Sequence, residues 1–155
     1  MTTPLDIPPY SLIMIKPLTV GRKQAPAILE YILQLCPVSL RFFREWEICP
    51  TTWRALYDDK DIADVNILTS LPGIGRKAWV GLFTHKDRVS DPYPHLIDIS
   101  GINDTSNLNN SSIRSIWRTR TTTPHGSDTV IHISDPKRVK LEADLLLYNF
   151  REVDV

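Results

Sequence analysis

Tyr10-Ser11-Leu12-Ile13-Met14-Ile15-Lys16-Pro17 decides how the chain is read. Leu12, Ile13, Met14 and Ile15 leave no polar side in the run, so residues 10–15 read as a strand buried within a sheet. Lys16 and Pro17 end that run, which is the pattern of a buried strand delivering a cation to its edge. A fixed positive charge in such a place suits a developing anion.

Outward from this strand, helix and strand signals alternate. Ala25, Ile28, Leu29, Ile32 and Leu35 recur on one face, so residues 24–35 read as an amphipathic helix, which Pro37 stops. In residues 38–48 the even positions Val38, Leu40, Phe42, Trp46 and Ile48 are apolar, Arg44 excepted, and the odd ones are mostly polar, which reads as a half-buried strand. Thr51 or Thr52 is placed to cap a short helix carrying Tyr57. Residues 78–83 read as a third strand and the β-branched residues 129–133 as a fourth. Ser134-Asp135-Pro136 then opens a helix running to about Tyr148. This order predicts an α+β chain: a ferredoxin-like, four-stranded antiparallel sheet with helices packed on one face. Residues 1–9 form an N-terminal extension, 10–150 a single domain and 151–155 a C-terminal tail.

Composition narrows the function classes. The 155 residues carry 18 Lys+Arg against 18 Asp+Glu, so no global field favours nucleic acid or an anionic membrane. The proline-rich N-terminus has no basic segment followed by a long apolar stretch, so neither a signal peptide nor a spanning helix is expected and the cytoplasm is the remaining compartment. Cys36 and Cys49 have no CxxC or histidine spacing for zinc and read as reduced, partly buried thiols. His85, His95 and His132 show no metal-ligand spacing and read as solvated or hydrogen-bonded imidazoles. The four tryptophans, Trp46, Trp53, Trp79 and Trp117, read as packing groups.

The chemical signal is His125-Gly126-Ser127-Asp128, an imidazole beside a glycine-opened backbone and two short polar side chains. Ser111-Ser112-Ile113-Arg114 precedes it, and an arginine there can clamp a phosphate bidentately. Residues 101–112, poor in apolar side chains, read as a functional loop over a ligand.

Taken in order, the strand ending in Lys16-Pro17, Leu56-Tyr57 with the following aspartate, the spacing from Gly101 to Ser112-Ile113-Arg114, and His125-Gly126-Ser127-Asp128 resemble the nucleoside diphosphate kinase family. The resemblance implies a ping-pong phosphotransferase. The γ-phosphate of a nucleoside triphosphate would pass to His125 as phosphohistidine, and a nucleoside diphosphate would collect it. It further implies that Lys16, Tyr57 and Arg114 hold the migrating group, with Mg²⁺ bridging the nucleotide phosphates and no protein group binding the metal directly. Asn103 stands where the family binds phosphate through threonine, and Thr122 where an asparagine helps hold the sugar hydroxyl. Asp144, on the last helix, would orient the active histidine through Ser127. A homo-oligomer is also implied.

Several positions depart from the family pattern. Leu18-Thr19 replaces an aspartate and glycine, Val65 replaces a ring that stacks on the base, and Ile97 replaces a second phosphate-binding arginine. Losing the ring costs base binding on the order of 1 kcal/mol or more. Arg88, Arg118 and Arg120 are the candidates to supply the absent cation. Two alternatives therefore stand beside the enzyme: a catalytically weakened nucleotide-binding or regulatory protein, and a nucleic-acid module. The second rests on Leu71-Pro72-Gly73-Ile74-Gly75-Arg76-Lys77-Ala78, which looks like the hairpin of a helix-hairpin-helix motif. That motif needs a following helix, whereas the residues after it have β-rich composition, so nucleic acid is not the expected partner.

Overall fold

β1, Tyr10–Ile15, is buried along its whole length because both of its faces are covered. The computed structural model describes residues 7–16, 19–57, 77–101, 112–117, 131–147 and 150–155. Around β1 the order is α1 (Thr19–Leu35), β2 (Val38–Glu47), α2 (Pro50–Tyr57), β3 (Lys77–His85), α3 (Tyr93–Ser100), α4 (Ile113–Ile116), β4 (Ile131–Ile133) and α5 (Val139–Leu146), followed by a 3₁₀ turn at Glu152–Asp154. The sheet runs β2-β3-β1-β4 with every pairing antiparallel, which is the ferredoxin-like arrangement.

Helices lie on both faces of this sheet, not on one. Ile13, Ile15, Phe83, Ile131 and Ile133 pack with Ala25, Ile28 and Ile32 of α1, Leu96 of α3 and Ile113 of α4. Leu12, Met14, Val80 and Leu82 pack with Leu56 of α2 and with Ala143 and Leu146 of α5. The unbroken apolar run of β1 is the reason, since a strand with no polar side needs a partner layer above and below.

β2 departs from the plain alternation expected of it. Leu40 pairs with Phe83, whereas Phe42 pairs with the next residue, Leu82, so Arg41 is an extra residue in the ladder. This β-bulge switches faces. Val38 and Leu40 belong to the α1 layer, while Phe42 and Trp46 belong to the α5 layer.

Helix boundaries also shift. α1 starts at Thr19, and Pro26 lies inside it with its side chain exposed, lacking the N–H that would bond the carbonyl four residues back. α2 begins at Pro50, so Thr51 and Thr52 lie within the helix; the Thr52 hydroxyl instead meets the Cys49 thiol at 3.1 Å. The last helix begins at Val139, because Asp135 turns the chain first: its carboxylate accepts from the Lys137 N–H at 2.9 Å and its carbonyl from the Arg138 N–H at 2.8 Å. α3 is an element that the sequence reading did not assign; it follows Asp91-Pro92, carries Pro94 in its first turn, and the Asp91 carboxylate accepts from the Tyr93 N–H at 2.9 Å.

Residues 151–155, read from sequence as a tail, pack onto the domain. Val155 is 5% exposed and joins the core, its carbonyl accepts from the Arg88 guanidinium at 3.2 Å, and Tyr10 donates to Glu152 at 3.1 Å. Burial, with the adjoining Glu152 carboxylate, pushes the Tyr10 phenol well above its ordinary range.

Gly81 is where the sheet tolerates no side chain. A Cβ there would lie 3.0 Å from the Phe43 ring and 3.2 Å from both Ile13 and Phe83. Gly81→Val is therefore expected to lower unfolding stability by about 1–3 kcal/mol, seen as a lower denaturant midpoint at unchanged m-value.

The two cysteines are free and contrasting. Cys36 is buried, and burial with help from the Asp98 charge pushes its thiol up to about 11; Cys49 is exposed, and its hydrogen bond to Thr52 pulls it below the ordinary thiol value. Iodoacetamide at pH 8 is expected to modify Cys49 fast and Cys36 at least tenfold more slowly, which peptide mapping over time would read out.

Candidate functional site

The strand pairing at the β4 edge assembles the polar groups of interest. Met14 lies opposite His132, and Ile13 and Ile15 lie opposite Ile133 and Ile131. The isoleucines face α1, so His132 faces the other way, toward α5. Lys16 continues the alternation onto the face of Met14 and is 5% exposed. It is thus a diagonal neighbour of His132 across the β1–β4 pair, where backbone separations are roughly 7–8 Å and a lysine stem reaches across.

α5 supplies the partner of the imidazole. Glu142, 2% exposed, accepts a hydrogen bond from Nε2 of His132 at 2.7 Å. The ring itself is partly open, with a side-chain exposure of 24%. With Glu142 as the carboxylate, Nε2 donates and the tautomer protonated at Nε2 is favoured. The other carboxylate oxygen of Glu142 and the hydroxyl of Ser134 are buried without a partner among the described residues. α2 joins this face through Leu56, and the Arg138 guanidinium, at the start of α5, reaches the carbonyls of Ala55 and Leu56 at 3.5 and 3.4 Å. The C-terminus of α2, which carries Tyr57, is thereby tied to the helix that carries Glu142.

The residues expected from sequence fall into three groups. Lys16 and the helix of Tyr57 share the face of the His132–Glu142 pair. Arg114 lies on α4, which packs through Ile113 in the opposite layer. His125, Asn103, Thr122 and Ser127 lie outside the described residues, as do Val65, Arg118, Arg120 and residues 71–76 of the hairpin motif. Asp144 is exposed, and the carboxylate of the last helix that bonds a histidine is Glu142. Ile97 packs in the apolar layer around α1, and Arg88 is engaged with the C-terminal residue. From Lys77 onward the chain is a strand, so the helix required after a helix-hairpin-helix turn is absent. Trp79 stacks on Phe43 at 4.9 Å and Trp117 meets Tyr31 edge-on at 5.3 Å, both as packing groups.

His132 is the functional candidate that the sequence reading set aside. Its signal was nonetheless present: His132-Ile133-Ser134-Asp135 repeats the histidine, serine and aspartate of His125-Gly126-Ser127-Asp128, and it sits at the end of a β-branched run before a helix.

Among the described residues no cluster of three or more His, Cys, Asp or Glu side chains is placed to hold a metal, and no helix is long and apolar enough to cross a membrane. No protein-family model and no curated protein matches the sequence. Solved structures do match. The nucleoside diphosphate kinase of Encephalitozoon cuniculi superposes with a TM-score of 0.67 at 15% identity, covering 90% of this chain and 88% of its own. That of Aquifex aeolicus gives 0.65 at 15%, covering 95% and 98%. The halophilic enzyme of Halobacterium salinarum, solved in complex with CDP, gives 0.67 at 16%, covering 94% and 90%. The chain therefore has the fold of nucleoside diphosphate kinases over nearly its whole length.

Proposed function

We propose that this protein is a nucleoside diphosphate kinase-like phosphotransferase that works through phosphohistidine. The observation that carries the reading is the 2.7 Å hydrogen bond from Nε2 of His132 to the buried Glu142, on the strand that pairs with the one ending in Lys16. In the first half-reaction the Nδ1 lone pair attacks the γ-phosphorus of a nucleoside triphosphate bound with Mg²⁺. The bond from that phosphorus to the bridging oxygen breaks, and a nucleoside diphosphate leaves. In the second, a terminal phosphate oxygen of an acceptor nucleoside diphosphate attacks the same phosphorus and the P–N bond breaks. Glu142 stabilises the imidazolium character of the phosphorylated ring, and Lys16 neutralises charge on the migrating group. Tyr57 is a further phosphate ligand in this reading; for Arg114, whose helix packs through Ile113 in the opposite layer, that role rests on the sequence resemblance alone.

His125 is the competing nucleophile, on the strength of its glycine-serine-aspartate context. A second reading, a nucleotide binder with weak turnover, is favoured by Ile97, a partly buried apolar side chain packed against the core where a phosphate-binding cation was expected. One experiment separates all three. Incubation with γ-labelled ATP and Mg²⁺ is expected to leave acid-labile, alkali-stable label that His125→Ala retains and His132→Ala loses. The reverse pattern would assign the nucleophile to His125. Nucleotide binding with no label on the native protein would select the weakened binder.

A further inference from the structure

A pocket lies on the α5 face of the sheet at its β2 side. It has a volume of about 190 Å³ and is lined by three arginines, Arg41, Arg44 and Arg151, with Asp154 as its one carboxylate. Three positive charges against one negative leave it net cationic. Arg151 pairs with Asp154 at 3.2 Å, whereas no carboxylate partner of Arg41 or Arg44 occurs among the described residues. Its floor is apolar, formed by Phe42, Phe150 and Leu147.

The bulge in β2 explains why the guanidinium groups converge. In a regular strand Arg41 would point away from Phe42 and Arg44, but the extra residue lets Arg41, Phe42 and Arg44 line one pocket. Arg44 is also held in place: its guanidinium carbon lies 4.0 Å from the Trp46 ring centroid and 5.5 Å from that of Phe42. Stacking on a ring leaves the in-plane N–H donors available to an anion. Unpaired arginine donors over an apolar floor match a phosphate monoester carried on a flat apolar group. The phosphate would take bidentate hydrogen bonds and the flat group would cover Phe42 and Phe150.

We infer that this pocket binds an aryl phosphate, as a free molecule or as a phosphorylated tyrosine side chain, at a site separate from the His132–Glu142 pair. Phenyl phosphate is the probe, and the part of the tryptophan emission that Trp46→Phe removes reports binding, because the ligand perturbs the guanidinium stacked on that indole. Phenyl phosphate is expected to give a saturable change, at least tenfold tighter than inorganic phosphate or phenol. Arg41→Gln and Arg44→Gln should each weaken it at least tenfold, with calorimetry as the readout where Arg44 is changed. Lys16→Gln should leave it unaltered. A phosphotyrosyl peptide binding more tightly than phenyl phosphate identifies a protein ligand, and the reverse order a small molecule. Absence of binding, equal affinity for inorganic phosphate, or loss of binding with Lys16→Gln would overturn the inference. None of these outcomes depends on phosphoryl transfer at His132.

Discussion

His132→Ala is expected to abolish phosphoryl transfer between nucleotides, by at least about 10⁴-fold in kcat/KM, while the protein stays folded. The magnitude follows from removing the atom that forms the covalent bond, a loss other groups in the site cannot make good. Folding should survive because the ring is partly exposed at an edge strand and the surrounding core is built by Met14, Leu146 and their neighbours. Coupled-assay turnover with circular dichroism as a folding control checks both halves. Retention of more than a tenth of native turnover would remove His132 from the mechanism.

Glu142→Gln carries the second large effect. The amide nearly preserves shape, but its NH₂ group can donate to Nε2 and drive the proton to Nδ1, the nitrogen proposed to attack. The charge that steadies the phosphorylated imidazole is lost at the same time. Together these are expected to lower kcat by about 10²- to 10⁴-fold, the scale seen when a histidine's orienting carboxylate is neutralised. Nucleotide affinity should change little, because Glu142 is buried behind the ring, on α5. A rise in KM at unchanged kcat would instead make Glu142 a binding group. Glu142→Asp, which keeps the charge and shortens the reach, should recover part of the rate.

The central strand and the alternation of elements were legible because burial leaves a direct trace in β1, four adjacent apolar residues ending at Lys16-Pro17, whereas the second helical layer that covers the other face leaves no such mark in the sequence. The bulge was not legible. Arg41 occupies an odd, polar position that fits plain alternation, and only the pairing of Leu40 and Phe42 with adjacent residues of β3 reveals the added residue. α3 escaped notice because its eight residues lack a side-chain cap and follow a proline-bounded turn. For the site, Lys16 was legible as the end of a strand. The histidine was harder, since two similar strings lie seven residues apart and a string says nothing about which one a neighbouring strand will pair with. His132 stands out through its register with Met14 and the reach of Glu142 from a helix turn ten residues on, both of which are properties of the folded chain.

The extra residue at Arg41 also sets a rule for altering the strand. Deleting Arg41 would leave Leu40 and Phe42 adjacent, still opposite Phe83 and Leu82, and plain alternation would send them to opposite faces. Leu40 would keep its place among the α1 side chains, and Phe42 and Trp46 theirs near α5. The two layers of the sheet thus do not need the extra residue; what the deletion would remove is one of the three guanidinium groups around the pocket, so the cationic surface can be altered without rebuilding the core.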